Sequence, residues 1–248
     1  MGNRLYSFPM SPPGKAAQLM LEHKGIDFEL KTLPAGAHLY LTRLAGFSSN
    51  TVPALKLGDR RVQDSVEISR VLEEIQPEPP LFPADPAARA EVQEVEEWAA
   101  EMLQPIGRQI FRWGMATFPG RLMPLFVREV QGFRPVGTLA RIEAPLIKRA
   151  AGQTGGTEEN VRRHLDELPG RLDRVDQLIA DGVIGGPVRN AADFQVGTSI
   201  RVVLLLEDLK PLLAGRPAEA HAMEIWPEVG PEFPAYIPRE WLPAVAVG

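Results

Sequence analysis

The sequence predicts an α/β domain followed by an all-α domain, and three observations support this. Segments of strand character and of helix character alternate up to Ile75. Five of the eleven residues in the range 76–86 are proline, a composition typical of a linker between domains. Beyond that range strand patterns nearly vanish. We therefore place the first domain at residues 1–77, the linker at 78–87, and the helical domain at 88–248 with an irregular C-terminal tail that wraps the surface.

The first domain is predicted to have the element order β-α-β-α-β-β-α. Ser11 before two prolines indicates a helix start, because Ser caps a helix N-terminus well and Pro is favoured in the first turn. A helix between the first two strands requires these strands to pair in parallel, whereas the tight turn at Gly58 pairs the last two antiparallel. The predicted strands cover residues 4–8, 28–33, 52–57 and 60–63, and the predicted helices cover residues 12–25, 38–44 and 64–75.

The composition excludes several classes of function. The chain contains no cysteine, which excludes disulfides, thiolate metal sites and chemistry in which the protein supplies the sulfur. A net charge of −5 argues against nucleic-acid binding. No segment approaches the roughly 20 apolar residues of a membrane span, and there is no signal-peptide pattern. The histidines lack the spacing of metal ligands. We expect a cytoplasmic protein without a metal, a nucleic-acid partner or a membrane partner.

Three short segments carry the candidate site residues, and we expect them to converge on one small-molecule site. They are residues 11–15, 51–55 and 63–65, and each adjoins a predicted strand. Taken alone, Ser11 is a helix cap that contributes about 1 kcal/mol. The same position allows its hydroxyl to stabilise an anion, because the N-terminus of a helix favours negative charge. Asp64 and Ser65 are likewise helix caps that can also bind an anionic group.

Five motifs carry a resemblance to a known family. In chain order they are the strand Leu5-Tyr6-Ser7-Phe8 with Ser11-Pro12, then Gly36-Ala37-His38, Val52-Pro53-Ala54-Leu55, Asp64-Ser65, and the capping box Asn190-Ala191-Ala192-Asp193-Phe194. Together with the domain order they resemble the cytosolic glutathione S-transferase superfamily, in its serine-type classes, with the class open. The resemblance covers most of the chain. It implies a thioredoxin-like first domain, a helical-bundle second domain, detoxification chemistry and a homodimer.

The resemblance also implies roles for individual residues toward glutathione as co-substrate. Ser11 would activate the thiol, with Tyr6 as the rival hydroxyl. Pro53 is expected to be cis, as in the family's Val-Pro-Ala-Leu, and to turn the backbone of Val52 toward the cysteinyl unit. The remaining expected contacts are Thr51 beside Val52, Ser65 to the γ-glutamyl carboxylate, Asp64 to the ammonium, and His38 to the glycyl carboxylate, with Arg43 or Lys15 as substitutes.

The second substrate is expected to be a small hydrophobic electrophile. Phe8, Met10, Phe111, Trp113 and Met115 are candidates for its pocket, although apolar clusters of this kind also form cores. Two other functions stay open. The family's Asn-Pro before the third strand is replaced by Phe47-Ser48, which fits a non-catalytic binding or scaffold protein, or an enzyme that uses a different low-molecular-weight thiol. The lack of cysteine excludes the disulfide-exchanging relatives.

Overall fold

The computed structural model of this chain describes residues 2–33, 38–126, 152 and 154–244. Within these residues a mixed four-stranded sheet with helices is followed by a region whose regular elements are helices. This confirms the predicted fold class, an α/β domain followed by an all-α domain. None of the helices in the described residues combines the length and the apolar character that a membrane-crossing helix needs.

The α/β part follows the predicted order. Its elements are β1 (Arg4–Ser7), α1 (Pro12–His23), β2 (Glu29–Thr32), α2 (His38–Leu44), β3 (Ala54–Leu57), β4 (Arg60–Gln63) and α3 (Ser65–Ile75). The sheet order is β2-β1-β3-β4. As predicted, β1 pairs with β2 in parallel and β3 pairs with β4 antiparallel. Helix α1 ends before Gly25, whose φ of 63° is a conformation that glycine adopts at little cost.

The strand directions bring three loops to one edge of the sheet. Strand β1 is antiparallel to β3, with Tyr6 opposite Ala54, so the end of β1 lies beside the start of β3. Gln63, at the end of β4, is also opposite Ala54. The loop after β1, the loop before β3 and the turn after β4 therefore share one edge. These loops contain the three candidate segments.

The helical part is built around one buried helix. Its elements are α4 (Pro86–Trp98), a π-helical turn (Ala99–Leu103), α5 (Gln104–Thr117), α6 (Pro119–Leu125), α7 (Glu158–Ala180), α8 (Ala191–Val203), a 3₁₀ turn (Glu207–Leu209), α9 (Lys210–Leu213), α10 (Pro217–Ile225) and a second 3₁₀ turn (Arg239–Trp241). Helix α8 is buried along nearly its whole length and packs against α1, α4, α5 and α10. The capping box that opens α8 is present, with reciprocal bonds between Asn190 and Asp193.

A buried ion network ties the linker to both parts of the chain. The fully buried Lys24 at the end of α1 donates to Glu73 Oε2 at 2.6 Å and to the carbonyl of Pro77 at 3.1 Å. Arg89 of α4 donates to the other oxygen of Glu73 at 2.9 Å. Removing one member of a buried ion pair leaves a costly uncompensated charge. The domain limits at residues 77 and 88 stay a prediction, but this network lies where they were placed.

The C-terminal tail does not follow the prediction that it wraps the surface. Phe233, Tyr236 and Ile237 are buried in the core. The Tyr236 hydroxyl donates to the carbonyl of Ile110 on α5 at 3.2 Å. Asp208 accepts the N–H groups of Tyr236 and Ile237 at 2.6 and 2.9 Å. The tail therefore completes the helical core, because its aromatic side chains fill space beside α5.

Candidate active site

Ser11 caps α1 at the edge where the three loops meet. Its Oγ accepts the N–H of Gly14 at 3.2 Å, and its own N–H donates to the carbonyl of Phe8 at 3.2 Å. Met10, which lies between Phe8 and Ser11, has a φ of 61°, and this conformation tightens the turn. Because the Oγ acts as an acceptor toward the helix, its proton stays available to donate to a ligand. The first turn of α1 contains no acidic residue that would oppose a negative charge at this point.

Gly14 is required by the close approach of α1 to the end of β1. A Cβ at this position would lie 1.9 Å from Ser7 Oγ and 3.1 Å from Ser11 Oγ. A larger residue would force the Ser7 hydroxyl to rotate or the first helical turn to shift. The glycine therefore allows the capping hydroxyl to lie close to the end of β1.

The segment before β3 is held by the side chain of Gln63, which belongs to the candidate segment 63–65 but had no predicted role. The peptide bond between Val52 and Pro53 is cis, as expected. Gln63 Nε2 donates to the carbonyls of Ser49 and Thr51 at 3.1 and 3.0 Å, and its Oε1 accepts the N–H of Ser49 at 2.9 Å. Gln63 thus positions the loop that leads to Val52. Its only signal in the sequence was its place directly before Asp64.

The turn after β4 joins this loop to α3. Asp64 N–H donates to the carbonyl of Pro53 at 3.2 Å, and its carboxylate caps α3 by accepting the N–H of Val66 at 2.9 Å. Asp64 has a φ of 82°, and Met10 and Asp64 are the non-glycine residues of positive φ within the described part of the chain. Such residues tend to cluster at ligand sites because the surrounding structure must hold them in place. Ser65 begins α3 and is only 1% exposed.

The structure places the predicted glutathione residues along one edge, with one exception. Ser11, Thr51, Val52, Pro53, Asp64 and Ser65 lie on the three loops that meet there. His38 begins α2, but its side chain lies outside the described residues. Tyr6, the rival hydroxyl, lies within β1, and its ring packs edge-on against Phe47 at 5.6 Å.

The predicted apolar pocket residues divide into two groups. The ring of Phe126 lies 6.2 Å from that of Phe8 and 5.6 Å from that of Phe111, which links α5 to the loop before Ser11. Trp113 is buried against the C-terminal segment, with its ring 5.3 Å from that of Trp241. Met115 is 2% exposed and belongs to the core. Among the five candidates, Phe8 and Met10 line the cavity beside Ser11, whereas Phe111, Trp113 and Met115 are not among its lining residues.

A cavity of about 170 Å³ opens directly beside Ser11. Its lining residues include Phe8 and Met10, together with Lys15 and Trp226. The Lys15 ammonium lies 5.9 Å from the centroid of the Trp226 ring. Trp226 had no signal in the sequence, because it follows α10 and reaches the first domain only in the folded chain.

Comparison with known proteins gives one family match. Residues 5–80 match the family described as "Glutathione S-transferase, N-terminal domain". This range contains the three loops of the candidate site.

Two curated proteins are similar to part of the chain. "Probable maleylacetoacetate isomerase 1" of Drosophila melanogaster is 32% identical over 107 residues, which cover 41% of this chain and 44% of that protein. "Glutathione S-transferase 1" of Dianthus caryophyllus is 35% identical over 105 residues, which cover 42% of this chain and 48% of that protein. The chain thus spans about half the length of the curated relatives it matches.

Among solved structures, the fold extends over nearly the whole chain. A glutathione S-transferase from Methylobacterium radiotolerans, in complex with glutathione sulfonate, aligns with a TM-score of 0.62 and 18% identity. The alignment covers 96% of this chain and 98% of that one. At this identity the likeness concerns the fold alone.

Proposed function

This chain belongs to the glutathione S-transferase superfamily, and from that premise we propose that it binds glutathione and activates its thiol for attack on a small electrophile. The observation that carries the proposal is the position of the Ser11 hydroxyl. It caps α1 beside a cavity, and it lies at the edge of the sheet where the Val52 and Ser65 loops also lie. The chain has no cysteine, so a sulfur nucleophile must come from a ligand.

The energetics of thiol activation fit a serine at a helix N-terminus. A free thiol has a pKa near 8.5, and lowering it to about 6.5 takes roughly 2.7 kcal/mol of selective thiolate stabilisation. A hydrogen bond to a charged group contributes about 1.5–3 kcal/mol. A helix N-terminus adds about 0.3–1 kcal/mol. The Ser11 hydroxyl and α1 together can therefore supply the required stabilisation.

The other two loops supply contacts for the peptide part of glutathione. Val52 makes no hydrogen bond through its backbone within the described residues, so its N–H and C=O are available to the cysteinyl unit. The start of α3 offers N–H groups to the γ-glutamyl carboxylate at Ser65, and the Asp64 carboxylate is placed for the ammonium. Thr51 flanks Val52, and His38 remains the proposed contact for the glycyl carboxylate. A homodimer remains a proposal drawn from the family.

Two reactions would use the same thiolate. In a transfer, the sulfur attacks an electrophilic carbon and the product keeps the new C–S bond. In a cis–trans isomerisation, the sulfur adds to a conjugated carbon, the adjacent bond rotates, and elimination returns the thiolate. The second reaction is a specific alternative, because one similar protein is named a probable maleylacetoacetate isomerase.

Calorimetry with glutathione tests the proposal. We expect saturable binding at neutral pH, weakened at least severalfold in a Gln63→Ala variant, because the Val52 loop loses its support. A lack of binding at millimolar glutathione contradicts the proposal, and binding of another low-molecular-weight thiol under the same conditions favours the alternative enzyme. Binding without turnover of either a chlorodinitrobenzene or maleylacetoacetate favours the scaffold alternative.

A further inference from the structure

Two arginines of α5 lack the partners that buried cations normally have. Arg108 and Arg112 are four residues apart, so both face the same side of the helix with roughly 5–6 Å between their Cβ atoms. Neither makes an ion pair with a carboxylate in the described residues, and Arg108 Nε is buried without a hydrogen-bond partner. Burial lowers the pKa of Arg108. It also lowers the pKa of Arg112 to about 10, with the positive charge of Arg108 as a second cause.

The facing helix α7 makes the surroundings more positive. His164 of α7 is 3% exposed, and one of its ring nitrogens lies 2.9 Å from Gln109 Oε1, while Nδ1 is buried without a partner. Burial, together with the positive charges of Arg171, Arg163 and Arg108, lowers the pKa of His164 to about 4. His164 is therefore neutral at pH 7 and supplies no charge of its own to this region.

No carboxylate of the described residues acts on the two arginines among the causes of their lowered pKa values. On the facing helix α7, Glu167 forms an ion pair with Arg171, and Glu158 forms one with Arg162 at 2.8 Å. A desolvated charge without a counter-charge is costly, so a pair of such arginines is unfavourable unless a ligand supplies one.

Ring contacts link the part of α5 that contains the two arginines to the loop that leads to Ser11. Phe111 lies three residues after Arg108 and one before Arg112, and its ring contacts that of Phe126 at 5.6 Å. Phe126 in turn stacks on Phe8, in the loop that leads to Ser11. By surface area both arginines are half-buried, so part of each residue stays exposed to solvent, although Arg108 Nε itself is buried.

We propose that Arg108 and Arg112 form a binding site for the carboxylate or phosphate group of a small molecule. Guanidinium groups suit this role, because their planar array of donors matches the oxygens of these anions. The anion can belong to the electrophile itself or to a separate small molecule. The site uses residues of α5 and needs neither Ser11 nor glutathione, so it goes beyond the proposed function.

Thermal unfolding with inorganic phosphate tests the site, with chloride at equal ionic strength as the reference. For the intact chain we expect Tm to rise by about 5 °C when phosphate exceeds its Kd a hundredfold. Arg108→Met should abolish this rise and, without phosphate, should leave Tm unchanged or higher, because an unpaired charge is removed. Arg108→Lys should keep a weaker response. Arg162→Met serves as the matched control on the exposed surface and should keep the full response.

Two results overturn the proposal. One is an equal phosphate response in the intact chain and in Arg108→Met. The other is a clear fall in Tm for Arg108→Met without phosphate, which indicates that the arginine is a structural group with a partner. Because no glutathione is present, neither result bears on whether the chain binds glutathione.

Kinetics distinguishes the two sources of the anion. If the acidic group belongs to the electrophile, Arg112→Met should lower the ratio of kcat/KM for an acidic electrophile over a neutral one by about 10- to 100-fold, the range expected for a charged hydrogen bond. If a separate molecule binds there, Arg112→Met should leave this ratio unaltered, while it should still weaken the rise in Tm that phosphate causes in the intact chain.

Discussion

Replacement of Ser11 separates its role as a helix cap from its proposed role toward the thiol. In a Ser11→Ala variant the cap bond to Gly14 is lost, which should lower the free energy of unfolding by about 1 kcal/mol. The thiolate also loses a hydrogen bond of about 1.5–3 kcal/mol, so the pKa of bound glutathione should rise by about 1–2 units. A titration of the thiolate absorbance of bound glutathione measures this pKa directly.

Ser11→Asp is the matched variant. Asp caps a helix N-terminus as well as Ser does, so the free energy of unfolding should stay near that of the intact chain. Its carboxylate cannot donate a proton and repels a thiolate, so the pKa of bound glutathione should rise at least as far as in Ser11→Ala. Tyr6→Phe, which removes the rival hydroxyl, should leave that pKa unchanged. An unchanged thiol pKa in both Ser11 variants would refute this reasoning and leave Ser11 as a cap alone.

Three further predictions concern neighbouring features. Gly14→Ala should lower the free energy of unfolding by about 1–3 kcal/mol because its Cβ would clash with Ser7 Oγ, and urea unfolding of Gly14→Ala with Ser7→Gly should show partial recovery. Gln63→Ala should weaken glutathione binding about 10-fold in calorimetry, since the Val52 loop loses its hydrogen bonds; equal affinity would argue against this support. Burial raises the pKa of Glu96 from 4.5 to about 7, despite the ion pair with Arg70. The folded chain thus holds a proton that the unfolded chain releases, so stability should fall by up to about 3 kcal/mol as the pH rises from 4.5 to 7 and then level off. In urea titrations Glu96→Gln should lack this slope, and a slope identical to that of the intact chain would contradict the assignment.

The α/β part was predictable because its signals are local. Strand periodicity, Ser11 before two prolines, and Gly25 and Gly58 at turns each act within a few residues. The pairing directions followed from the connections alone. The convergence of the three loops was expected from their motifs, but the antiparallel pairing of β1 with β3 that brings them together is seen only in the structure.

The packing of the helical part and of the site could not be predicted, because it depends on contacts between residues that are distant in the sequence. Phe111 and Trp113 are both apolar residues of α5, but a separation of two residues puts them on nearly opposite faces of a helix. Only the fold shows that Phe111 faces the loop before Ser11 while Trp113 packs on the tail. Tyr236 bonds to Ile110, 126 residues away in the chain, from a segment without periodicity. Trp226 and Gln63 act through the same kind of distant contact.

A crystal structure of the chain with bound glutathione is the decisive measurement of the role of Ser11. We expect the sulfur to lie within hydrogen-bond distance of Ser11 Oγ, with the cysteinyl backbone on Val52 and the γ-glutamyl carboxylate at Ser65. Glutathione bound elsewhere, or with its sulfur turned away from Ser11, would contradict it.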